Sequence, residues 1–382
     1  MKFLSDGMKV VFTFTLLHLL LVVNLFRKVK VNIIIGNSFG NAIDVLLWTI
    51  YSRESGDDRH TLNLYFRTGT IVNDYLREQY KKHGIPVPPL NIGTHIRWNM
   101  LKFPYLNKII GIYASANNSP EFFNDKRSFL QITSQERREG DARMEGLHVG
   151  AEDKIVCFAN RDSGFHSELF ESYRNNDVNS YISALQLLEE QGYACIRMGR
   201  KNASALHHTS PRIIDYGSSP VASDFLDFYL IQRSAFLICP SNGLYMLSLA
   251  YKKPTLYVSL CPFDIIEAVV IYAPSNSVIL PKLLLQTENH KLLSFRKTSS
   301  IAPIDHKSFA DSYVPVDNST DEVRDATLQI LATLDGNYAP TPDQEERQRT
   351  FWRTFFPHLE ERVFTYNIRI SDAFLQKHKG LL

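Results

Sequence analysis

Residues Tyr181–Gly199 read YISALQLLEEQGYACIRMG. Tyr181, Ile182, Ala184, Leu185 and Leu188 fall at helical spacing, Gly192 ends the run, and Tyr193–Met198 follows as a short apolar strand that stops at Gly199. A helix that feeds a buried strand through one glycine is the unit of a parallel α/β sheet, because parallel neighbours need a crossover connection and a helix supplies it. The unit recurs on both sides. Upstream, Lys154–Phe158 is a strand. Downstream, Arg212–Tyr216 is a short strand and Ser223 caps a helix over Asp224–Arg233. Ala235–Cys239 is a strand, the turn Pro240-Ser241-Asn242-Gly243 opens a helix over Leu244–Tyr251, and Pro254–Val258 is a strand again. Ser319 and Glu322 form a capping box for a helix ending near Leu334, with Val323, Ala326, Thr327, Ile330, Leu331 and Leu334 as its buried stripe.

The first third of the chain repeats the theme less regularly. Val29–Ile35 (VKVNIII) is rich in β-branched residues and runs into Gly36-Asn37-Ser38-Phe39-Gly40-Asn41. An apolar-periodic run through Ile43, Leu46, Leu47 and Ile50 follows, which makes a strand, a glycine turn and a helix. Thr61–Phe66 reads as a second strand, Ile71–Tyr80 as a helix, and Leu106–Tyr113 as a further apolar segment beyond a loop marked by Pro86, Pro88 and Pro89. The charged tract Gln135–Arg143 lacks apolar periodicity and reads as a solvated segment between domains, which puts the boundary near 150. The expectation is an α/β protein of two Rossmann-like domains, 29–150 and 151–338, the second of nucleotide-binding type. An apolar helix over 1–28 precedes them. A helical tail over 339–382 follows, whose cluster of Phe351, Trp352, Phe355 and Phe356 is able to pack back across the first domain.

A chain of 382 residues with 44% hydrophobic and 21% charged residues is ordinary globular material and has length for two or three domains. A net charge of +2 argues against a protein that coats nucleic acid, while leaving room for a local basic pocket. Cys157, Cys195 and Cys239 sit inside apolar runs and read as buried strand thiols. With Cys261 they offer no paired spacing for zinc, so no metal site is expected and a reducing, cytoplasmic compartment fits. The stretch Val10–Phe26 is almost wholly apolar, preceded by Lys2 and Lys9 and followed by Arg27, Lys28 and Lys30. A packing helix and a membrane-contacting helix both fit it, whereas a cleaved signal lacks its small-residue site. If it touches a membrane, the cations after it place the rest of the chain at the cytoplasmic, inner face.

In a parallel sheet, ligands bind beyond the carboxyl ends of the strands. After strand 154–158 come Asn160, Arg161, Asp162, Ser163, Gly164 and His166. Arg161 suits a diphosphate through its planar fork, Asp162 suits an orienting or hydroxyl-binding role, and the plainer alternative is an Arg–Asp pair that steadies the loop. Arg197 inside an apolar strand needs a partner, either an anion or an internal carboxylate such as Asp215. Asp215 and Tyr216 suit a ribose or base, with a plain turn at Gly217 as the alternative. Ser241, Asn242 and Gly243 open a helix and either approach a phosphate or simply cap it. In the first domain the loop Gly36, Asn37, Ser38, Gly40 and Asn41 would present an acceptor. Asp44 and His95, with His166, are the candidates for a catalytic base.

The runs VCFANRDSGFH (156–166), YISALQLLEEQGYACIRMG (181–199), IIDYGSS (213–219) and FLDFYLI (225–231) resemble a bacterial glycosyltransferase family. SNGL, PTLYVS, PVDNSTDEV (315–323) and ISDAFLQKH (370–378) extend the resemblance, which covers about 150–380 and, earlier, only the glycine loop. It implies a GT-B-like architecture, two Rossmann-like domains facing a cleft, with a nucleotide-sugar on the second and a glycan or lipid-linked acceptor on the first. It also implies that arginines and helix N-termini, rather than a metal, neutralise the diphosphate. The family's motif commonly has histidines where this chain has Ala159 and Asn37. That departure motivates a second expectation, a non-catalytic sugar- or nucleotide-binding module of a glycan-assembly complex.

Overall fold

The computed structural model describes residues 5–56, 59–89, 91–109, 122, 127–164, 172–200, 202–208, 210–301, 309 and 311–382. The chain divides into two compact units, Met1–Gln131 and Ile132–Leu382.

In the first unit β1 (Val29–Ile35) and β2 (Leu62–Thr68) pair in parallel across the helix Phe39–Glu54. Val29, Val31 and Ile33 pack with Leu17 and Leu20 of the helix Asp6–Asn24 and with Ile96 and Met100 of the helix Gly93–Lys102. Gly36 is required where β1 ends: a Cβ there would lie 2.8 Å from the Thr70 carbonyl carbon, and the two loops hydrogen-bond through Gly36 N–H to Thr68 O. The helix expected from Ile71 begins at Asp74, because Asn73 accepts from Leu76 N–H at 2.8 Å and fixes the start there. Of the apolar segment Leu106–Tyr113, residues 104–109 form a 3₁₀ turn and 110–113 lie outside the described residues.

The tract expected to be a linker is a helix, Ser134–Glu145, begun by a capping box between Thr133 and Glu136. It buries only Gly140 and Met144, so no apolar stripe marks it. It belongs to the second unit, where Asp141 accepts from Tyr229 Oη at 2.6 Å and Arg143 donates to Ser223 Oγ at 3.1 Å. The division at 131/132 therefore precedes the expected boundary near 150.

The second unit is built on a seven-stranded sheet. Its strands are β3 (Lys154–Phe158), β4 (Tyr193–Arg197), β5 (Ile213–Asp215), β6 (Leu237–Cys239), β7 (Thr255–Leu260), β8 (Val278–Pro281) and β12 (Arg369–Ile370). The order is β12-β8-β7-β6-β3-β4-β5 and every pair is parallel. From β3 the chain steps outward to β4 and β5, then returns to the other side of β3 for β6, β7 and β8. That reversal makes the β3/β6 boundary the topological switch point, the place where open α/β sheets take their ligands. A separate antiparallel sheet of β9 (Leu283–Gln286), β10 (Lys291–Leu292) and β11 (Tyr313–Val316) branches off after β8.

The tail packs on the second unit. Phe351, Trp352 and Phe356 lie in the core of the second unit, among Phe263, Phe295 and Phe374, and the tail supplies β12 as an edge strand. The segments 315–323 and 370–378 meet here. Glu322 closes the capping box on Ser319 and also accepts from Lys377 Nζ and His378 Nε2, each at 2.8 Å. All four cysteines are buried and unpaired, and burial pushes their thiols up, Cys195 and Cys261 to about 12.

Candidate functional site

At the switch point the loop after β3 and the loop after β6 are joined by a segment neither strand predicts. Asn176 pairs with the backbone of Arg161 in both directions, N–H to O at 2.9 Å and Oδ1 from N–H at 3.0 Å. Its amide also donates to Tyr181 Oη at 2.6 Å, and that phenol donates to Ala159 O. Two residues earlier, Arg174 donates through Nε to Ser241 Oγ at 3.2 Å and through Nη2 to Ser241 O. The stretch 172–177 thus lies across the ends of β3 and β6, with two half-buried arginines, Arg161 after β3 and Arg174 within the stretch. Lys282, just after β8, anchors the far end of the stretch: its ammonium donates to Asn175 O at 2.5 Å and lies 2.6 Å from Asp317 Oδ1. Asn318 follows, accepting from Ser259 N–H at 2.8 Å and donating to Pro281 O at 3.0 Å, so PVDNSTDE closes the ends of β7 and β8.

Of the residues expected to bind a donor, Arg161 and Ser241 are linked through Asn176 and Arg174, while Ser163 and Gly164 follow β3 and Asn242 and Gly243 follow β6. Asn242 acts as a cap, its Oδ1 accepting from Leu244 N–H at 3.0 Å, and Ser241 is 2% exposed with its hydroxyl turned to Arg174. Asp162 does not wait for a sugar hydroxyl. It accepts from the N–H groups of Gly164, Ala203 and Ser204 and from Asn160 Nδ2, at 2.9–3.1 Å, and so laces the β3 loop to the β4 loop. Partial burial pushes its carboxyl up, but the four donors outweigh burial and hold it down at about 2.

That depression predicts an acid limb in stability. The carboxylate titrates near 3.9 in the unfolded chain, so its contribution is complete above about pH 4 and is lost as pH falls toward 2. Because the side chain is only partly buried and solvent screens it, the contribution is about 1 kcal/mol rather than the ~2.5 kcal/mol of the whole shift. Asp162→Asn is expected to lose that increment at pH 7 and to flatten the curve between pH 4 and 2. Urea titrations at pH 7, 4 and 3 measure it, and identical acid limbs in the two proteins refute the role.

Arg197, Asp215 and Tyr216 all take internal partners. Arg197 is 1% exposed, and its guanidinium is spent inside the protein: Nε and Nη2 on Asn160 Oδ1 (3.3 and 2.9 Å), Nη2 on Ser204 O (2.8 Å), Nη1 on Asp215 Oδ2 (3.0 Å). It braces the rim from beneath; of the two partners expected, the carboxylate is the one found. Tyr216 is wholly buried, donating to Asp227 and Ser223 O at 3.0 Å, and burial raises its phenol. Gly217 lies in the short turn 216–218, as the plainer alternative has it.

In the first unit Ser38, Gly40 and Asn41 stand at the start of the helix Phe39–Glu54, with Asn41 Nδ2 donating to Ser38 Oγ at 2.8 Å, and Asn37 is exposed beside Gly69. Asp44 is 7% exposed, on the interior side of that helix where its charge, after burial, raises the buried Tyr80 phenol. An interior carboxylate is a poor base for an incoming acceptor. His95 opens the helix Gly93–Lys102, its Nε2 3.5 Å from Asp6 Oδ1, with its side chain 17% exposed. His166 lies outside the described residues. Arg174, Lys282 and Asp317 escaped the sequence reading. Lys282 shares the mark that exposed Arg197, a cation in an apolar run (ILPKLLL), whereas Arg174 carries no local mark.

No family model and no curated protein matches the chain. Among solved structures it is similar to a glycosyl transferase family 9 protein from Veillonella parvula, with 12% identity, a TM-score of 0.43, and 80% of this chain and 97% of that one covered. It is also similar to the E. coli ADP-heptose lps heptosyltransferase II, at 11% identity and a TM-score of 0.38 over 60% of this chain and 84% of that one. A third is S. aureus MnaA with UDP, at 10% identity and 0.31 over 61% and 79%. Likenesses this distant carry no functional argument.

Proposed function

We propose that the protein is a glycosyltransferase that takes a nucleotide-sugar on its second unit and passes the sugar to a cell-surface glycan or lipid-linked precursor. The observation that carries the reading is the meeting of the 159–164 loop, Arg174 and Ser241 at the switch point of a seven-stranded parallel sheet. A nucleoside diphosphate leaving group needs permanently charged donors in a crevice with restricted water, and Arg161 and Arg174 supply the type of group suited to it. Arg174 is already oriented by its bonds to Ser241, so little side-chain freedom is lost when an anion arrives. Arg197, Asp162 and Asn176 hold the loops that carry these groups.

The test is titration calorimetry of the full chain against UDP-, GDP-, ADP- and CMP-sugars. Binding of one class is expected, and Arg174→Ala is expected to weaken it by about 10- to 100-fold, the loss of one or two charge-assisted hydrogen bonds. No binding by any class refutes the proposal. A second reading, a sugar- or nucleotide-binding module without turnover, is favoured by Ala159 and Asn37 standing where the family carries histidines. Donor binding with neither transfer nor hydrolysis selects it.

A further inference from the structure

We propose that the helix Asp6–Asn24 and the segment Gly93–Ile109 beside it form an in-plane docking face for an anionic lipid bilayer. The helix is two-faced. Thr13, Leu17 and Leu20 are buried against the first unit, while Met8, Val11, Phe12, Leu19 and Val22 are 43–66% exposed. Those five, with Thr15, follow the i, i+3, i+4, i+7 spacing of a single helical stripe. Leu25 and Phe26 extend it at 79% and 88% exposure, and Trp98, Leu101 and Tyr105 of the neighbouring segment add exposed apolar and interfacial aromatic groups. Scattered exposed apolar residues need no explanation; a continuous set on two packed elements does.

Charge identifies the occupant. Residues 6–30 and 93–109 carry Lys9, Arg27, Lys28, Lys30, Arg97, Lys102 and Lys108 against the single carboxylate of Asp6, in a chain whose total is only +2. Lys9 is engaged with Asp6 at 2.8 Å, and Arg27, Lys28, Arg97, Lys102 and Lys108 are exposed. An apolar stripe rimmed by cations fits lipid headgroups of negative charge. A second copy of this chain would set like charges against one another.

Packing decides how the helix engages. Its 19 residues are long and apolar enough to cross a membrane. One side, however, is fixed to the unit by polar bonds: buried Asn99 donates to Val10 O at 3.0 Å and Thr13 Oγ1 at 2.7 Å, and His18 Nε2 pairs with Tyr105 Oη at 2.7 Å. Insertion across the bilayer would strip those partners away, whereas lying in the interface keeps them and buries the exposed stripe.

The full chain is tested by flotation with vesicles of phosphatidylcholine alone and of phosphatidylcholine mixed with phosphatidylglycerol. Flotation with the mixed vesicles is expected, weakening several-fold from 0.1 M to 1 M salt as the screening length falls from about 10 to about 3 Å. Trp48 and Trp352 are buried, so a blue shift of tryptophan fluorescence on vesicle addition reports Trp98 without any substitution. The triple variant Val11→Glu/Leu19→Glu/Val22→Glu changes only exposed positions and is expected to cut flotation at least ten-fold with an unchanged circular dichroism spectrum. Absence of both flotation and blue shift overturns the proposal. So does flotation indifferent to the triple variant, resistance of the membrane-bound chain to alkaline carbonate, or a dimer that the triple variant dissociates while vesicles go unbound.

Discussion

Replacing Arg197 with Met is expected to destabilise the protein by about 3 kcal/mol or more, the largest loss among single side chains of the rim. The guanidinium is 1% exposed and holds Asn160 Oδ1, Ser204 O and Asp215 together. Methionine fills much of the volume and restores none of the hydrogen bonds. It orphans an amide oxygen and a backbone carbonyl, each about 1–3 kcal/mol when left without a partner, and a carboxylate. Asp215 is 34% exposed and recovers water, which keeps the total at the low end of the range for a broken buried pair. Arg197→Lys is expected to fall short too, since a single ammonium cannot serve acceptors spread around a planar fork. Urea unfolding followed by far-ultraviolet circular dichroism measures the change as a lower midpoint at unaltered slope. A loss below about 0.5 kcal/mol, the level of an ordinary surface substitution, would show that the brace does not exist.

How much of this was legible depends on whether the cause is local. Strands β3 and β4 are readable as short apolar runs, and the helices Asp224–Arg233 and Thr320–Leu334 because each carries its own cap, Ser223 and Ser319. The helix Ser134–Glu145 was not, since it buries two residues and shows no stripe; its only mark is the Thr133–Glu136 box. Strands β8 and β12 were missed for another reason. They are four and two residues long and buried throughout, and the partner that makes β12 a strand lies some ninety residues back at Val278–Ile279. Parallel edge pairing of that kind leaves no pattern along the chain.

The site divides in the same way. An arginine inside an apolar strand announces a partner, so Arg197 was conspicuous, and whether it faces a ligand or Asp215 was the open question. That choice is set by the sheet: β4 and β5 pair with Arg197 directly opposite Asp215. Asp162 and Tyr216 read as outward-facing because the residues that claim them, Ala203 and Ser204 in a loop and Asp227 in a helix, sit 11 to 42 positions away. The convergence of the β3 and β6 loops, by contrast, follows from strand order alone and was foreseeable.

Gly217→Ala is expected to cost about 3 kcal/mol, at the upper end of what overpacking does, through sterics with no side chain able to yield. A Cβ on Gly217 would lie 1.7 Å from Gly199 O, 2.7 Å from its carbonyl carbon and 3.3 Å from Arg200 Cα. Every one of those atoms is backbone, so no rotamer relieves the overlap. The two loops cannot simply part, because the ladder of β4 on β5 and the Arg197–Asp215 pair fix both just before they cross, and Gly199 holds a φ of +100° that other residues rarely adopt. Gly192→Ala is the control. Gly192 has a φ of +84° with nothing within 4 Å of the added Cβ, so it isolates the conformational penalty, about 1 kcal/mol. Thermal unfolding should therefore drop by roughly 6–12 °C for Gly217→Ala and by only a few degrees for Gly192→Ala, on the scale of 2–4 °C per kcal/mol for a unit of this size. If the order is reversed, the loops after β4 and β5 do not cross in contact, and the brace that Arg197 and Asp162 give to the β3 loop beneath Arg161 loses its footing.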